Sequence, residues 1–124
     1  MDKSILWMDL TVEDAEEVRD FYSEVIGWKT QPLDMGSYDD FVMVNDDQEP
    51  IAGVCHARGE NADLPPVWIA YVQVESVDKS IKTCIEKGGQ VIKPATPYSS
   101  NKKYAIIQDP AGATCAIWSE EDSP

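Results

Sequence analysis

The chain has 124 residues, which corresponds to one domain that can bury a sizeable core without disulfides or a structural metal. Its 23 acidic and 10 basic residues give a formal net charge of −13, which argues against nucleic-acid partners and anionic membrane surfaces. The N-terminus has no signal-peptide pattern, no apolar run is long enough to span a membrane, and the three cysteines are an odd count. These features predict a reduced, cytoplasmic protein.

The sequence repeats weakly at an offset of 62 residues, which places Gly27 on Gly89, and the order of predicted elements repeats as well. Hydrophobic periodicity in the first half predicts a strand, a helix and three strands, at residues 5–12, 13–26, 28–33, 41–45 and 51–56. Thr11 and Asp14 fit a capping box at the start of the helix, and Gly27 fits its C-terminal cap.

The second half has the same order of elements, predicted at residues 67–74, 77–87, 90–93, 104–108 and 114–118. Ser76 is the expected cap of its helix, and the type I turn chemistry of residues 109–112 joins its last two strands. The predicted fold class is therefore α+β, with two βαβββ modules at about residues 1–57 and 67–120 and a linker at 58–66. Two such modules side by side form one concave mixed sheet, where we expect a ligand site.

A set of short motifs carries a resemblance to a known superfamily. They are Leu10-Thr-Val-Glu-Asp14, Phe21-Tyr-Ser-Glu-Val-Ile-Gly-Trp28, Ala52-Gly53, Trp68-Ile-Ala-Tyr-Val-Gln-Val74, Gly88-Gly89 and Asp109-Pro-Ala-Gly112. With them, nearly the whole chain resembles the vicinal oxygen chelate superfamily of glyoxalase I, bleomycin-resistance proteins, fosfomycin-resistance enzymes and extradiol dioxygenases. The resemblance implies the glyoxalase/bleomycin-resistance/dioxygenase fold, a single domain over residues 1–124 and a homodimer.

The resemblance also implies four metal-ligand positions, two from sequence motifs and two from their equivalents at the offset of 62. In this sequence they are Trp7, Val54, Ile69 and Ala116. None of these side chains can coordinate a divalent metal, which is bound through His, Cys, Asp or Glu. We therefore expect neither a metal nor another cofactor. If the strand register differs, Asp9 and His56, each two residues from a ligand position, would form part of an unusual metal site.

Strand alternation assigns further residues to the concave surface. The predicted pocket comprises Trp7, Asp9, Thr11, Val54, His56, Ile69, Tyr71, Gln73, Thr114, Ala116 and Trp118. Aromatic walls with a few polar groups are typical of small-molecule sites, although such side chains also fill the space of a lost metal or line a dimer contact. Aromatic faces beside a carboxylate, in an acidic protein, favour a cationic or aromatic ligand.

Three functions remain open at this point. The first is a metal-independent small-molecule binding protein with its ligand between the two modules. The second is a glyoxalase-like lyase or isomerase, or a dioxygenase-type enzyme, with an atypical metal or acid–base site; its catalytic candidates are His56, Asp9 and Tyr71. The third is a non-catalytic interaction module. A lone histidine without a partner evident in the sequence is more often structural or exposed than catalytic, and the three cysteines are better explained as inert buried thiols than as nucleophiles.

Overall fold

The secondary structure follows the predicted order in both halves of the chain. The computed structural model describes residue 3 and residues 5–120, and these contain two α-helices, eight strands and a short 3-10 helix. The elements are β1 Ile5–Val12, α1 Ala15–Ile26, β2 Lys29–Asp34, β3 Asp39–Val44, β4 Pro50–His56, β5 Trp68–Gln73, α2 Val77–Glu86, β6 Gln90–Ser99, β7 Lys102–Gln108 and β8 Thr114–Glu120. Every predicted element is present, and the largest difference is the length of β6. The α+β fold class with two βαβββ modules is confirmed.

The chain divides into two compact units, one of residues 7–68 and one of residues 69–120 with the start of β1. They are called the first and second module below. In the part of the chain that the structure describes, neither α-helix is long and apolar enough to cross a membrane.

The first module has the strand order β2-β3-β4-β1, in which β4 is parallel to β1 and antiparallel to β3. Helix α1 packs against one face of these strands because its apolar residues recur at helical spacing. The buried core between them consists of Ala15, Phe41, Met43, Ala52 and Val54. Thus one face of the first sheet carries the module's hydrophobic core.

The two ends of α1 differ in how well the sequence predicted them. Its N-cap is Asp14, which makes no side-chain capping hydrogen bond, so the predicted capping box with Thr11 is wrong. The reason is that Thr11 belongs to β1, where it is buried opposite Cys55 and cannot turn toward the helix. At the other end Gly27 adopts the left-handed conformation (φ 92°), and its N–H donates to the carbonyl of Ser23 over 3.0 Å, as predicted.

An aromatic cluster stabilises the first module beside α1. The rings of Tyr22, Trp28 and Trp68 lie 5.3–6.1 Å apart between centroids, and the Trp68 Nε1–H donates to the Tyr22 hydroxyl over 3.1 Å. Edge-to-face ring contacts of this kind contribute beyond the area that they bury. The hydroxyl also satisfies an indole N–H that would otherwise lose its partner.

We expect Tyr22→Phe to lower the free energy of unfolding by about 1 kcal/mol, because the Trp68 indole N–H loses its acceptor while the ring contacts remain. Urea denaturation followed by tryptophan fluorescence measures this loss. Tyr98→Phe is the matched control, since Tyr98 is half exposed, and it should change stability by less than about 0.5 kcal/mol. Equal effects of the two substitutions would contradict the assigned hydrogen bond.

The second module has the strand order β5-β8-β7-β6, with β5 and β8 parallel and the other pairs antiparallel. Its buried core against α2 is centred on Val77, Ala105 and Ile117. The predicted cap of α2 is confirmed, since Ser76 Oγ accepts from the N–H of Lys79 over 3.3 Å. The predicted turn is also present: the Gly112 N–H donates to the Asp109 carbonyl over 2.9 Å.

Candidate functional site

The side of each sheet that faces away from its helix is called here the helix-distal face. Strand pairing determines which residues lie on it. In the first module Asp9 lies opposite Gly53, and in the second Tyr71 lies opposite Ala116. Asp9 and Tyr71 are 62 positions apart in the sequence, whereas Gly53 and Ala116 are 63 apart, so a single offset does not relate the two modules. The equivalent of Ala116 is Gly53, and its predicted assignment to Val54 is wrong.

The two modules differ in their β-bulges, which is one reason why the residue count between equivalent positions differs. The register between β3 and β4 shifts at Met43/Val44, and the register between β6 and β7 shifts at three places. Each bulge adds a residue to one strand, which changes the residue count and moves the following side chains to the opposite face. Hydrophobic alternation in the sequence does not reveal where such a residue is inserted.

Two predicted pocket residues lie on the face of the first module's sheet that packs against α1, and not on its helix-distal face. Val54 is fully buried in the core with Ala15, and His56 lies opposite Val12, which packs against the same core. The His56 ring is 5.3 Å from the Tyr38 ring between centroids and 6.1 Å from that of Phe41. Asp9 and His56 therefore lie on opposite faces of the sheet, and the structure does not bring these two candidates together.

The remaining predicted residues of the first module form its helix-distal face. Trp7, Asp9 and Thr11 lie there on β1, and Gly53 and Cys55 lie beside them on β4. The Trp7 indole Nε1–H donates a short hydrogen bond to the Asp9 carboxylate. A Cβ added to Gly53 would overlap that carboxylate and lie 3.6 Å from Trp7 Cζ2. The Trp7–Asp9 pair therefore fills the space above Gly53 into which a side chain at this position would project.

Cys55 and Asp40 form a second polar pair on the same face. Burial raises the pKa of the Cys55 thiol above its usual range, and the negative charges of Asp9 and Asp40 and a hydrogen bond to Asp40 raise it further. Asp40 is itself buried and accepts the backbone N–H of His56 over 2.8 Å. Because the thiolate is the reactive form, this thiol is a poor nucleophile and metal ligand.

Native Cys55 should react with iodoacetamide at pH 8 at least about 100-fold more slowly than in urea-unfolded protein, because its pKa is raised and its access restricted. Peptide mapping by mass spectrometry measures the rate at this residue. Asp40→Asn should increase the native rate, since it removes a neighbouring negative charge, whereas Asp39→Asn at the exposed adjacent position should not. Rapid native labelling would contradict the assigned environment.

The helix-distal face of the second module contains the residues predicted for it. Tyr71 and Gln73 on β5 pair with Ala116 and Trp118 on β8, so these four side chains lie on one side of the sheet. Thr114 lies at the start of β8, and Ile69 is buried at 1% exposure. The structure thus brings together the predicted aromatic and polar residues of this module.

Sequence reasoning missed a lysine and a tyrosine on this face. Lys93 lies opposite Ile106, is 8% exposed, and donates a short hydrogen bond to the Tyr104 hydroxyl. The Tyr71 ring lies 6.2 Å from that of Tyr104 between centroids. Tyr104 could have been found by extending the alternation of β7, since it pairs with Trp118. Lys93 could not, because it lies between two register shifts of β6.

The residues present do not fit the metal that the family resemblance implies. At the four structurally equivalent positions stand Trp7, Gly53, Ile69 and Ala116, and none has a donor atom suited to a divalent cation. Across residue 3 and residues 5–120, no three or more His, Cys, Asp or Glu side chains are grouped so as to hold a metal ion.

Comparison with known proteins identifies relatives of the chain. It is 28% identical to the "Putative glyoxylase CFP32" of Mycobacterium tuberculosis over 90% of this chain and 44% of the relative. It is 23% identical to the anthracycline biosynthesis protein DnrV of Streptomyces peucetius over 90% of this chain and 45% of the relative. The chain thus spans less than half the length of these relatives.

A solved structure and a family model agree on the fold. A glyoxalase/bleomycin resistance protein/dioxygenase superfamily member from Vibrio splendidus superposes with a TM-score of 0.58 and 12% identity, over 91% of this chain and 96% of that one. The model of the Glyoxalase/Bleomycin resistance protein/Dioxygenase superfamily matches residues 4–117. The chain therefore belongs to the glyoxalase/bleomycin resistance protein/dioxygenase superfamily.

Proposed function

We propose that this chain is a metal-independent small-molecule binding protein of its superfamily. The observation that carries the proposal is the Trp7–Asp9 pair above Gly53, where the side chain of a metal ligand would have to project. A carboxylate-bearing side chain at Gly53 would collide with the Asp9 carboxylate, and two like charges would be forced together. The remaining equivalent positions, Ile69 and Ala116, are buried and apolar.

The helix-distal face of the second module supports the binding part of the proposal. Aromatic rings next to a few polar groups are the usual lining of small-molecule sites, and Tyr71, Tyr104 and Trp118 stand there with Gln73 and Lys93. The names of the relatives, a glyoxylase and an anthracycline biosynthesis protein, are consistent with a small-molecule ligand. We expect a cytoplasmic homodimer without a further cofactor, as in the sequence-based prediction.

A glyoxalase-like enzyme is the second candidate, favoured by the name of the relative from Mycobacterium tuberculosis. Acid–base chemistry without a metal would need a base and an acid that reach the same substrate. The first module separates Asp9 from His56, since they lie on opposite faces of its sheet. Tyr71 remains as a candidate acid. The predicted pair of Asp9 and His56 does not support this alternative, so an activity assay is the test of it.

Metal content tests the proposal directly. Untagged protein purified without chelator is soaked in Zn, Ni, Mn, Co or Fe(II), desalted and analysed by elemental mass spectrometry. We expect well below one metal per chain and the same melting temperature with and without a chelator, because a metal bound by the native state would stabilise it. About one retained metal per chain, or per two chains, would contradict the proposal and make the enzyme the preferred function.

A further inference from the structure

We infer that this chain associates with a second copy of itself through its two helices, with the acidic outer side of α1 in one chain against the basic outer side of α2 in the other. The inference assigns a surface to the homodimer that the proposed function includes, and in that respect it rests on that proposal. By two-fold symmetry the contact is made twice, and each chain supplies α1 to one contact and α2 to the other.

The outer side of α1 is the side turned to solvent, and it carries exposed apolar residues. Phe21 is 55% exposed and Val25 is 64% exposed, although both are large hydrophobic side chains. Glu17 and Glu24 recur with them at helical spacing and are exposed as well. Exposed apolar residues bordered by charged ones are typical of a protein–protein contact. The outer side of α1 is therefore a candidate interface.

The charge of α1 restricts what can pack on it. The helix contains four acids and one base, Arg19, which forms an ion pair with Asp20 over 2.9 Å. It therefore has a surplus of three negative charges. Two α1 surfaces facing each other would bring like charges together, which is strongly unfavourable in an interface. A second copy must therefore offer a different surface to α1.

The outer side of α2 is such a surface because it is basic. With its C-cap the helix contains three lysines and two acids, and one of these acids, Asp78, forms an ion pair with Lys103 over 3.0 Å. Lys79 and Lys82 lie one turn apart and are exposed. Ile85, one turn further along, is 60% exposed. Helix α2 thus presents positive charges beside an apolar residue, which complements the acids and apolar residues of α1.

The overall charge explains why the two copies would meet at these helices. At a formal net charge of −13, two chains repel each other over most of their surfaces. The acids are concentrated in residues 1–62, with 15 acids and 4 bases, whereas residues 63–124 have 8 acids and 6 bases. Contact between α1 and α2 therefore joins an acidic surface to a basic one. This charge complementarity selects a second copy of the chain as the occupant.

Charge-reversed variants of the full chain test the inference. Glu17→Lys with Glu24→Lys makes α1 basic, and Lys79→Glu with Lys82→Glu makes α2 acidic. We expect each double variant to weaken dimerisation at least about tenfold, because like charges then meet in both contacts. Sedimentation analysis with fluorescence detection down to nanomolar concentrations measures this. A one-to-one mixture of the two variants should dimerise about as well as the native chain, since both of its contacts again join opposite charges.

Asp46→Lys with Asp47→Lys is the matched control, because it makes the same change of charge in the exposed turn between β3 and β4. It should not weaken dimerisation, since it lowers the overall negative charge without changing either helix. Phe21→Ala should weaken dimerisation at least about fivefold, because buried aromatic side chains contribute most to interfaces. All substituted side chains are exposed, so the variants should stay folded, and circular dichroism checks this before sedimentation.

Three outcomes would overturn the inference: a native chain that is monomeric at millimolar concentration, a dimer whose affinity neither reversal changes, or folded reversed variants that stay monomeric when mixed. A monomeric native chain would also remove the expected homodimer, whereas the second outcome would leave it with a different interface. None of these outcomes changes the metal-content result. Retained metal, in turn, would refute the metal-independent function whatever the oligomeric state. The two proposals can therefore fail separately.

Discussion

Gly53→Ala should lower the free energy of unfolding by about 2–3 kcal/mol, which is a fall in melting temperature of roughly 10 °C for a chain of this size. The new methyl group would overlap the Asp9 carboxylate and press on Trp7. In an ordinary strand position the same change would be mildly stabilising, because alanine loses less conformational entropy than glycine. Urea denaturation of the two proteins measures the difference.

A double-mutant cycle shows whether the overlap is the cause. In an Asp9→Ala background, Gly53→Ala should cost at least about 1 kcal/mol less than in the native background, since the colliding group is gone. Gly36→Ala is the control: Gly36 has φ 99° and no atom within 4 Å of an added Cβ, so its cost comes from backbone strain. The stability costs of Gly36→Ala and Asp9→Ala should therefore be additive. If the costs of Gly53→Ala and Asp9→Ala were also additive, the interpretation that Asp9 fills the space next to Gly53 would be refuted.

Met43→Ala should destabilise the protein by about 2–5 kcal/mol, because Met43 is fully buried in the core beneath α1 and its removal leaves a cavity. Met35 provides a matched control, since it is 46% exposed and lies outside that core. Met35→Ala should change the free energy of unfolding by less than about 0.5 kcal/mol. Both values come from chemical denaturation. A loss below 1 kcal/mol at Met43 would contradict its placement in the core.

The sequence predicted most of the fold because the signals for its elements are local. β1 was predicted with its exact bounds, the Gly27 and Ser76 caps were predicted from residue type, and the facing of β1, β5 and β8 followed from alternation over uninterrupted strands. These features depend on neighbouring residues and not on pairing across the sheet.

The errors share a different physical origin. Val54 was assigned from Ala116 by the constant offset of 62, and His56 by alternation from Val54, although the strands between equivalent positions contain bulges that change the residue count. Lys93 lies in a strand with three register shifts. A bulge is decided by the pairing of two strands, so one strand's sequence does not specify it. The hydrogen bond from Trp7 to Asp9 could not be predicted from the sequence either, because two residues on the same face of a strand are neighbours but need not form a hydrogen bond.

The bulges also bear on where the chain can gain or lose a residue. β1 pairs with β4, and β7 with β8, without any register shift, so one residue inserted there would turn the following side chains to the wrong face. β6 already accommodates three shifts against β7 while Lys93 still reaches Tyr104. Loop grafts and single-residue insertions are therefore best attempted along β6. In this strand an added residue has the smallest effect on which face of the sheet the following side chains occupy.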